Sequence, residues 1–265
     1  AMFSEVGGSL RKWTAIKASV GSVDFMGVPE GLKMEVNTVS LEINKPAVDG
    51  TVVDFMVTAD ETSATDLTVT VGPSETITFD MDDDKGDYMQ ITGSAEFDLF
   101  GFIKINGSFG FEKSTQEVVL SDASSVSTNM LTIGLSNVNA FFGYDQGTED
   151  VSDDLGLQLT GVDLALAMFS EVGGSLRKWT AIKAFVEDVD FLGVPTGLTM
   201  EVNTVSLEIN KPATDGTVID FQITAGETQA TDLTVVVGLS ETVTFDMDDD
   251  KGDYMQITGS AEFDL

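Results

Sequence analysis

The chain contains no cysteine and no histidine among its 265 residues. Their absence excludes disulfides, zinc ribbons, histidine metal sites and catalytic pairs of the Ser-His and Cys-His kinds. No apolar run approaches the roughly 18 residues that a membrane-spanning helix needs, so we expect no membrane insertion. The Gly-x-Ser-x-Gly, Gly-x-Gly-x-x-Gly and Walker patterns are also missing. We therefore expect that the protein is not an enzyme.

Basic residues are scarce, because 13 Lys and Arg face 45 Asp and Glu, which gives a formal net charge of −32. A surface of this charge excludes electrostatic binding of nucleic acid and argues against docking on anionic lipid. Hydrophobic residues nevertheless make up 42% of the chain, which favours a folded protein over a disordered one.

The chain repeats itself. Residues 1–99 align with residues 167–265 at a constant offset of 166, without a gap and with 15 differences. This pattern predicts a full β repeat unit at 1–166 and a partial second copy of the same unit at 167–265.

Most of the unit alternates apolar and polar residues with the period of a β-strand, for example over 39–43, 66–71 and 76–81. We expect about a dozen strands per unit and an all-β fold of antiparallel strands. No linker separates the copies, because the apolar positions between Val162 and Met168 continue across the junction. The sequence thus predicts a continuous repeat array, with tandem β-sandwich domains as the alternative.

Both ends of the sequence interrupt strands. Ala1 corresponds to Ala167, which follows the apolar segment 162–166, and Leu265 corresponds to Leu99, which Phe100 follows. Domain boundaries usually lie in exposed linkers. We therefore expect a segment of a longer tandem array whose strands pair onwards at both ends, the alternative being an arbitrarily delimited segment.

Three segments, 93–114, 159–166 and 177–184, resemble recurring blocks of giant bacterial extracellular repeat proteins of the adhesin-like or RTX-like kind. The resemblance implies an extracellular or bacterial cell-surface location. It also implies a structural role in a fibre, stalk or adhesin, with head-to-tail partners that are copies of the chain or further repeats of it. The Gly-Gly-x-Gly-x-Asp calcium repeat is absent, so the calcium chemistry of RTX proteins does not carry over.

An acidic segment at 80–87 recurs at 246–253. Clustered carboxylates suit a hard cation such as Ca²⁺, although Lys85 occupies the position where an EF-hand loop needs glycine. A solvated hairpin tip is the alternative. The predicted Ca²⁺ ligands are Asp82, Asp84, Asp87, Asp248, Asp250 and Asp253. If they bind, a calcium-dependent carbohydrate- or lipid-binding module becomes the second candidate function.

Two hairpins are predicted with their registers. The loop 84–86 closes a hairpin from Met81 to Met89, which places Phe79 opposite Ile91. In the second copy, the turn 173–175 pairs Phe169 with Trp179. The same register pairs Leu166 with Ile182, Leu164 with Ala184, and Val162 with Val186.

Two further patterns have alternative interpretations. The phenylalanines between 97 and 111 predict a core, or else a lipid- or sugar-binding groove. Asn106-Gly107-Ser108 fits the N-glycosylation pattern, which makes a glycan a candidate partner, although the pattern is common by chance.

Overall fold

A computed structural model describes residues 1–7, 11–29, 31–58, 61–145, 154–173, 177–195, 198–224 and 227–264. None of the helices in these ranges has the length and hydrophobicity of a membrane-spanning segment. The described residues form the strands β1 (Met2–Ser4), β2 (Lys12–Asp24), β3 (Leu32–Lys45), β4 (Thr68–Thr70), β5 (Thr76–Thr78), β6 (Tyr88–Leu99), β7 (Ile103–Val119), β8 (Ser125–Tyr144), β9 (Leu155–Glu171), β10 (Lys178–Leu192), β11 (Thr199–Lys211), β12 (Thr234–Val236), β13 (Thr242–Thr244) and β14 (Tyr254–Asp264).

Ten of these strands form one open antiparallel sheet in the order β1-β2-β3-β6-β7-β8-β9-β10-β11-β14. The pairs β4-β5 and β12-β13 form two small separate sheets. The junction of the two copies, at residues 166 and 167, lies inside β9, so hydrogen bonding continues from one copy into the next. The predicted all-β class, with antiparallel strands in a continuous sheet, is confirmed.

The strands are fewer and longer than the sequence pattern indicated. β3 contains the alternating stretch 39–43 and also residues 33–37, with a bulge between Asn37 and Ser40. Thr38 sits in this bulge with φ of 53°, and Thr204 repeats the geometry in β11. A bulge shifts the alternation by one residue, so one strand looks like two in the sequence.

The predicted register of β9 and β10 is confirmed. Phe169 pairs with Trp179, Leu166 with Ile182, and Val162 with Val186. Of the predicted turn, Gly173 is described, whereas residues 174 and 175 lie outside the described residues. The buried face of β9 is, however, the one that carries Ala165 and Phe169, while the Leu166 face is half-buried.

Two long connections cover that buried face. The first arm, residues 46–87, joins β3 to β6, and the second arm, residues 212–253, joins β11 to β14. The arms are anchored alike, because Asn44 donates from Nδ2 to the carbonyl of Val53 at 2.7 Å and Asn210 repeats the bond to Ile219 at 2.7 Å.

Each arm packs against its part of the ten-stranded sheet and forms a core rich in aromatic side chains. The first core contains Ala15, Phe55, Phe79, Met81 and Tyr88. The second core repeats this pattern and is larger, because β7, β8 and Ala165 of the first unit contribute to it. The second core contains Val118, Leu120, Met130, Ala165, Ala167, Phe169, Trp179, Ala181, Ala213, Ile219, Phe221, Leu233, Val235, Val237, Phe245 and Met247.

The predicted hairpin from Met81 to Met89 is wrong. Ile91 pairs with Leu41 of β3 and with Phe111 of β7, while the N–H of Phe79 donates to the carbonyl of Leu67 at 2.9 Å. The expected loop is a short 3₁₀ helix, Asp83–Lys85, which ends at Gly86 with φ of 61°. β3 offers the same alternation as the segment before the loop, so the pattern could not select the partner strand.

The predicted phenylalanine core is also wrong. Phe100 and Phe102 are exposed, and the other phenylalanines between 97 and 111 are half-buried. Phe111 shares the face of Ile91 and Leu41, which is opposite to the arms. The buried aromatic side chains come from the arms and from β9 and β10 instead.

Candidate cation-binding loops and the contact between the copies

The acidic segment of each copy folds into a 3₁₀ turn that brings three consecutive carboxylates together. Asp82 caps the turn, because its Oδ1 accepts the N–H of Asp84 at 2.9 Å. Ligand atoms of Asp82, Asp83 and Asp84 lie within 4.8 Å of one another. The second copy reproduces this cluster with Asp248, Asp249 and Asp250. Of the predicted ligands, the structure thus brings together Asp82 with Asp84, and Asp248 with Asp250.

Asp87 and Asp253 have lysine partners instead. Asp87 accepts from Lys45 at 2.8 Å and from Lys113 at 2.5 Å, and Asp253 accepts from Lys211 at 2.8 Å. Desolvation alone would raise the pKa of Asp87, but the hydrogen bonds from Lys113 and Lys45 outweigh it and lower the pKa. These ion pairs tie the turn to β3, β7 and β11.

A second group of carboxylates, which the sequence did not predict, lies next to each turn. Asp54 and Glu61 of the first arm lie with Asp83, all three ligand atoms being within 4.8 Å of one another. In the second arm the same triad is formed by Asp220, Glu227 and Asp249. The arm brings its two ends together through the bond from the N–H of Phe55 to the carbonyl of Met81, at 3.0 Å. Nothing in the spacing of these residues indicates that they meet.

The glutamate of each triad is held in place. Glu61 Oε2 accepts both the N–H and the hydroxyl of Thr58, each at 2.9 Å. Glu227 Oε2 accepts the N–H of Thr224 at 2.5 Å and its hydroxyl at 2.7 Å. A fixed carboxylate loses less side-chain entropy when it binds a ligand.

The second triad is the more buried one, and its electrostatics are unfavourable. Asp220 is 2% exposed. The pKa of Asp220 is raised to about 6, mainly by burial; the N–H of Gln222 opposes this shift, and the charges of Asp249 and Glu227 add to it. Burial, followed by the charge of Glu227, also raises the pKa of Asp249. The buried Oδ1 of Asp249 has no hydrogen-bond partner among the described residues. A hard divalent cation would relieve this repulsion, because it binds carboxylate oxygens.

The second triad lies where the second arm meets the first unit. Leu120 and Ile219 form an isolated antiparallel bridge, with the N–H of Ser121 bonded to the carbonyl of Val218 at 3.0 Å. The N–H of Asp220 donates to the carbonyl of Val119 at 3.0 Å. A cavity of about 190 Å³ opens beside this bridge. It is lined by Val119, Leu120, Ser121, Ala123, Asp220, Glu227, Thr228, Gln229 and Asp249.

Two glycines let the second arm touch the sheet. Gly110 of β7 and Gly134 of β8 pair with each other, and Ala165 of β9 lies beside Gly134. A Cβ atom on Gly110 would lie 2.3 Å from the carbonyl oxygen of Val236, and one on Gly134 would lie 2.3 Å from the Cα of Val237. Gly110 and Gly134 are thus sites where the backbone of another segment approaches the sheet closely.

Comparisons with protein-family models, with curated proteins and with solved structures give no match.

Proposed function

We propose that the protein is a structural repeat segment of an extracellular bacterial fibre, stalk or adhesin, which propagates head-to-tail through β-strand pairing. The observation that carries the proposal is the sheet itself, which runs through the junction of the two copies inside β9. The order β2-β3-β6 recurs as β10-β11-β14 in the same sheet. Each unit thus adds strands to one surface, as in repeat arrays whose units contact their neighbours.

The edge of the sheet at β14 supports this role. Met255 and Ile257 of β14 are 63% and 65% exposed, whereas the corresponding Met89 and Ile91 of β6 are half-buried because β7 pairs with β6. An apolar strand at an open edge is a template for another strand.

The opposite edge shows the same contrast. Residues 19–24 of β2 are exposed. The corresponding residues of β10 pair with β9, for example Val186 with Val162 and Asp190 with Gln158. The partner at each edge is therefore a strand of another repeat, from the same chain or from a neighbouring molecule. The proposed location at the bacterial surface rests on the resemblance of the sequence to extracellular repeat proteins.

Association through the edges is tested by sedimentation over a range of concentrations, with hydrogen exchange of β14 and of residues 19–24. We expect concentration-dependent association that slows exchange in both segments. Ile257→Lys, which places a charge on the edge strand, should abolish the association. Val48→Lys, which changes an 89% exposed side chain of the first arm, is the matched control and should leave the association unchanged. A monodisperse monomer with fast exchange in both segments would contradict the proposal.

A second candidate function is a calcium-dependent carbohydrate- or lipid-binding module. The carboxylate triad beside the 190 Å³ cavity is the observation that favours it. Glycan and vesicle binding that requires Ca²⁺, and that Glu227→Gln removes, would support this function. Equal binding in Ca²⁺ and in chelator would contradict it.

A further inference from the structure

The two copies expose the same arm surface to a different extent. Val235 and Val237 of the second arm are 2% and 1% exposed, whereas the corresponding Val69 and Val71 of the first arm are 36% and 54% exposed. Val218 is fully buried, while its counterpart Val52 is only half-buried. We call Val52, Val69 and Val71 the valine face. Its residues are identical in the two copies, so the difference in exposure comes from the surroundings.

The end of the β7–β8 hairpin covers this surface in the second copy. Leu120 bridges Ile219, and the backbone of Val119 donates to the hydroxyl of Thr231 at 2.9 Å. Because Gly110 and Gly134 have no side chains, the backbone of Val236 and Val237 can lie directly against the sheet there.

The first arm presents the same bonding groups. They are the carbonyl of Val52, the N–H of Asp54 and the hydroxyl of Thr65, which correspond to the groups of Val218, Asp220 and Thr231 that bind the hairpin. In the second arm each of these groups forms a hydrogen bond to the hairpin. Among the described residues, the three groups of the first arm form no equivalent hydrogen bond. A cleft of about 180 Å³ lies against Val69 and Val71 of the valine face, and β2 and Phe79 contribute to its lining.

We infer that the valine face is a preformed docking surface for the β7–β8 hairpin of a further repeat unit. The inference rests on the proposed function, because the array is the source of that unit. The chain's own hairpin already lies against the second arm, so a different copy of residues 100–166 has to supply the partner. This occupant fits because the positions through which the second arm contacts the hairpin carry the same residues in the first arm, except Val53, which is Ile219, Ser63, which is Gln229, and Thr70, which is Val236.

The test is a chain in which an added copy of residues 100–166 precedes Ala1. The new Leu166–Ala1 junction reproduces the natural Leu166–Ala167 sequence. Because the chain has no cysteine, an introduced pair carries the only thiols. The pair is Leu120→Cys in the added copy with Val53→Cys in the first arm. Such positions lie opposite each other without a direct hydrogen bond, where Cα atoms are about 4.5 Å apart and a disulfide can close.

Two matched pairs calibrate the result. Leu120→Cys with Ile219→Cys, in the chain's own bridge, must cross-link. Leu120→Cys of the added copy with Val48→Cys, in the exposed part of the first arm, must not. We expect the Val53 pair to form a disulfide as completely as the Ile219 pair, as seen by mass spectrometry and by non-reducing electrophoresis. A Val53 pair that stays reduced while the Ile219 pair closes overturns the inference.

Hydrogen exchange of the cysteine-free extended chain tests the same contact without substitutions. The amide of Asp54 should exchange at least about tenfold more slowly than in the 265-residue chain, as expected for a new hydrogen bond in a folded unit. Protection of residues 19–24 without protection of Asp54 would mean that edge pairing occurs but docking does not, so the inference fails while the proposed function stands. Protection of neither segment overturns both.

Discussion

At the scale of single residues, identical side chains differ between the copies according to what covers them. Trp179 is 1% exposed, whereas Trp13 is half-buried, although both donate from Nε1 to the carbonyl of the corresponding threonine, Thr217 or Thr51. The local fold of each arm is thus set by its own sequence. The depth of burial is set by the neighbouring unit.

The first prediction compares one substitution at two equivalent sites. Val237→Asp places a carboxylate against Gly134 in a buried contact, and we expect it to lower the free energy of unfolding by about 3–5 kcal/mol. Val71→Asp, on the exposed counterpart, should change it by about 0.5 kcal/mol or less. Urea denaturation of both variants measures the difference. Equal losses would show that the two valines share one environment.

The second prediction concerns pH. Burial raises the pKa of Asp220 from 3.8 to about 6, so the folded protein holds a proton there that the unfolded chain has released. Between these values stability therefore falls as pH rises, by up to about 1.4 kcal/mol for each unit of pKa shift. Asp220→Asn removes the charge and should flatten this part of the pH profile of the melting temperature.

Asp54→Asn is the matched control for this titration, because it changes the counterpart of Asp220 in the first arm. We expect it to leave the pH profile between 4 and about 6 close to that of the unmodified chain. If Asp54→Asn flattens the profile and Asp220→Asn does not, the role given to Asp220 is wrong.

At the scale of elements, the contact between an arm and the sheet depends on the glycine pair of β7 and β8. Gly134→Ala would place its Cβ 2.3 Å from the Cα of Val237, so the second arm would have to move away. We expect a loss of at least about 1–3 kcal/mol, the usual cost of overpacking. Gly21→Ala in β2, with nothing within 4 Å of the new Cβ, should be neutral or slightly stabilising. Similar losses in both variants would contradict the close approach.

The sequence predicted the all-β class and one register because these depend on local alternation. In β9 and β10 the apolar pattern and the short connection favour the same pairing, and the structure confirms it. The segment before Tyr88 satisfies the same local conditions, yet β6 pairs with β3 and β7, since several strands offer matching apolar residues. Choosing among matching partners requires the three-dimensional arrangement of the sheet.

The candidate site was predictable only in part, for a related reason. Asp82 and Asp84 are near neighbours in sequence, so their proximity follows from the turn that contains them. Asp54 and Glu61 join Asp83 because the arm folds back on itself, which no spacing rule indicates. Asp87 carries the same charge as the others, but Lys45 and Lys113 come from two different strands to pair with it.

At the scale of the whole molecule, net charge opposes the association that the sheet edges favour. With 45 acidic and 13 basic residues, copies of the chain repel one another at low ionic strength. Salt screens this repulsion over a Debye length of about 10 Å at 0.1 M. Added NaCl should therefore increase both association and melting temperature.

The last prediction separates screening from cation binding. If the triads hold Ca²⁺ with a dissociation constant on the order of 1 mM, as extracellular modules do, 10 mM Ca²⁺ adds about 1.4 kcal/mol per site. With both triads occupied, the melting temperature at equal ionic strength should then be about 5–10 °C higher in CaCl₂ than in NaCl. Glu61→Gln combined with Glu227→Gln leaves the threonine contacts in place but weakens both triads. We expect this variant to lose the excess in CaCl₂ while it keeps the response to NaCl, because screening depends on the total charge and binding depends on the triads. Equal melting temperatures of the unmodified chain in the two salts would show that the triads bind no calcium at this concentration.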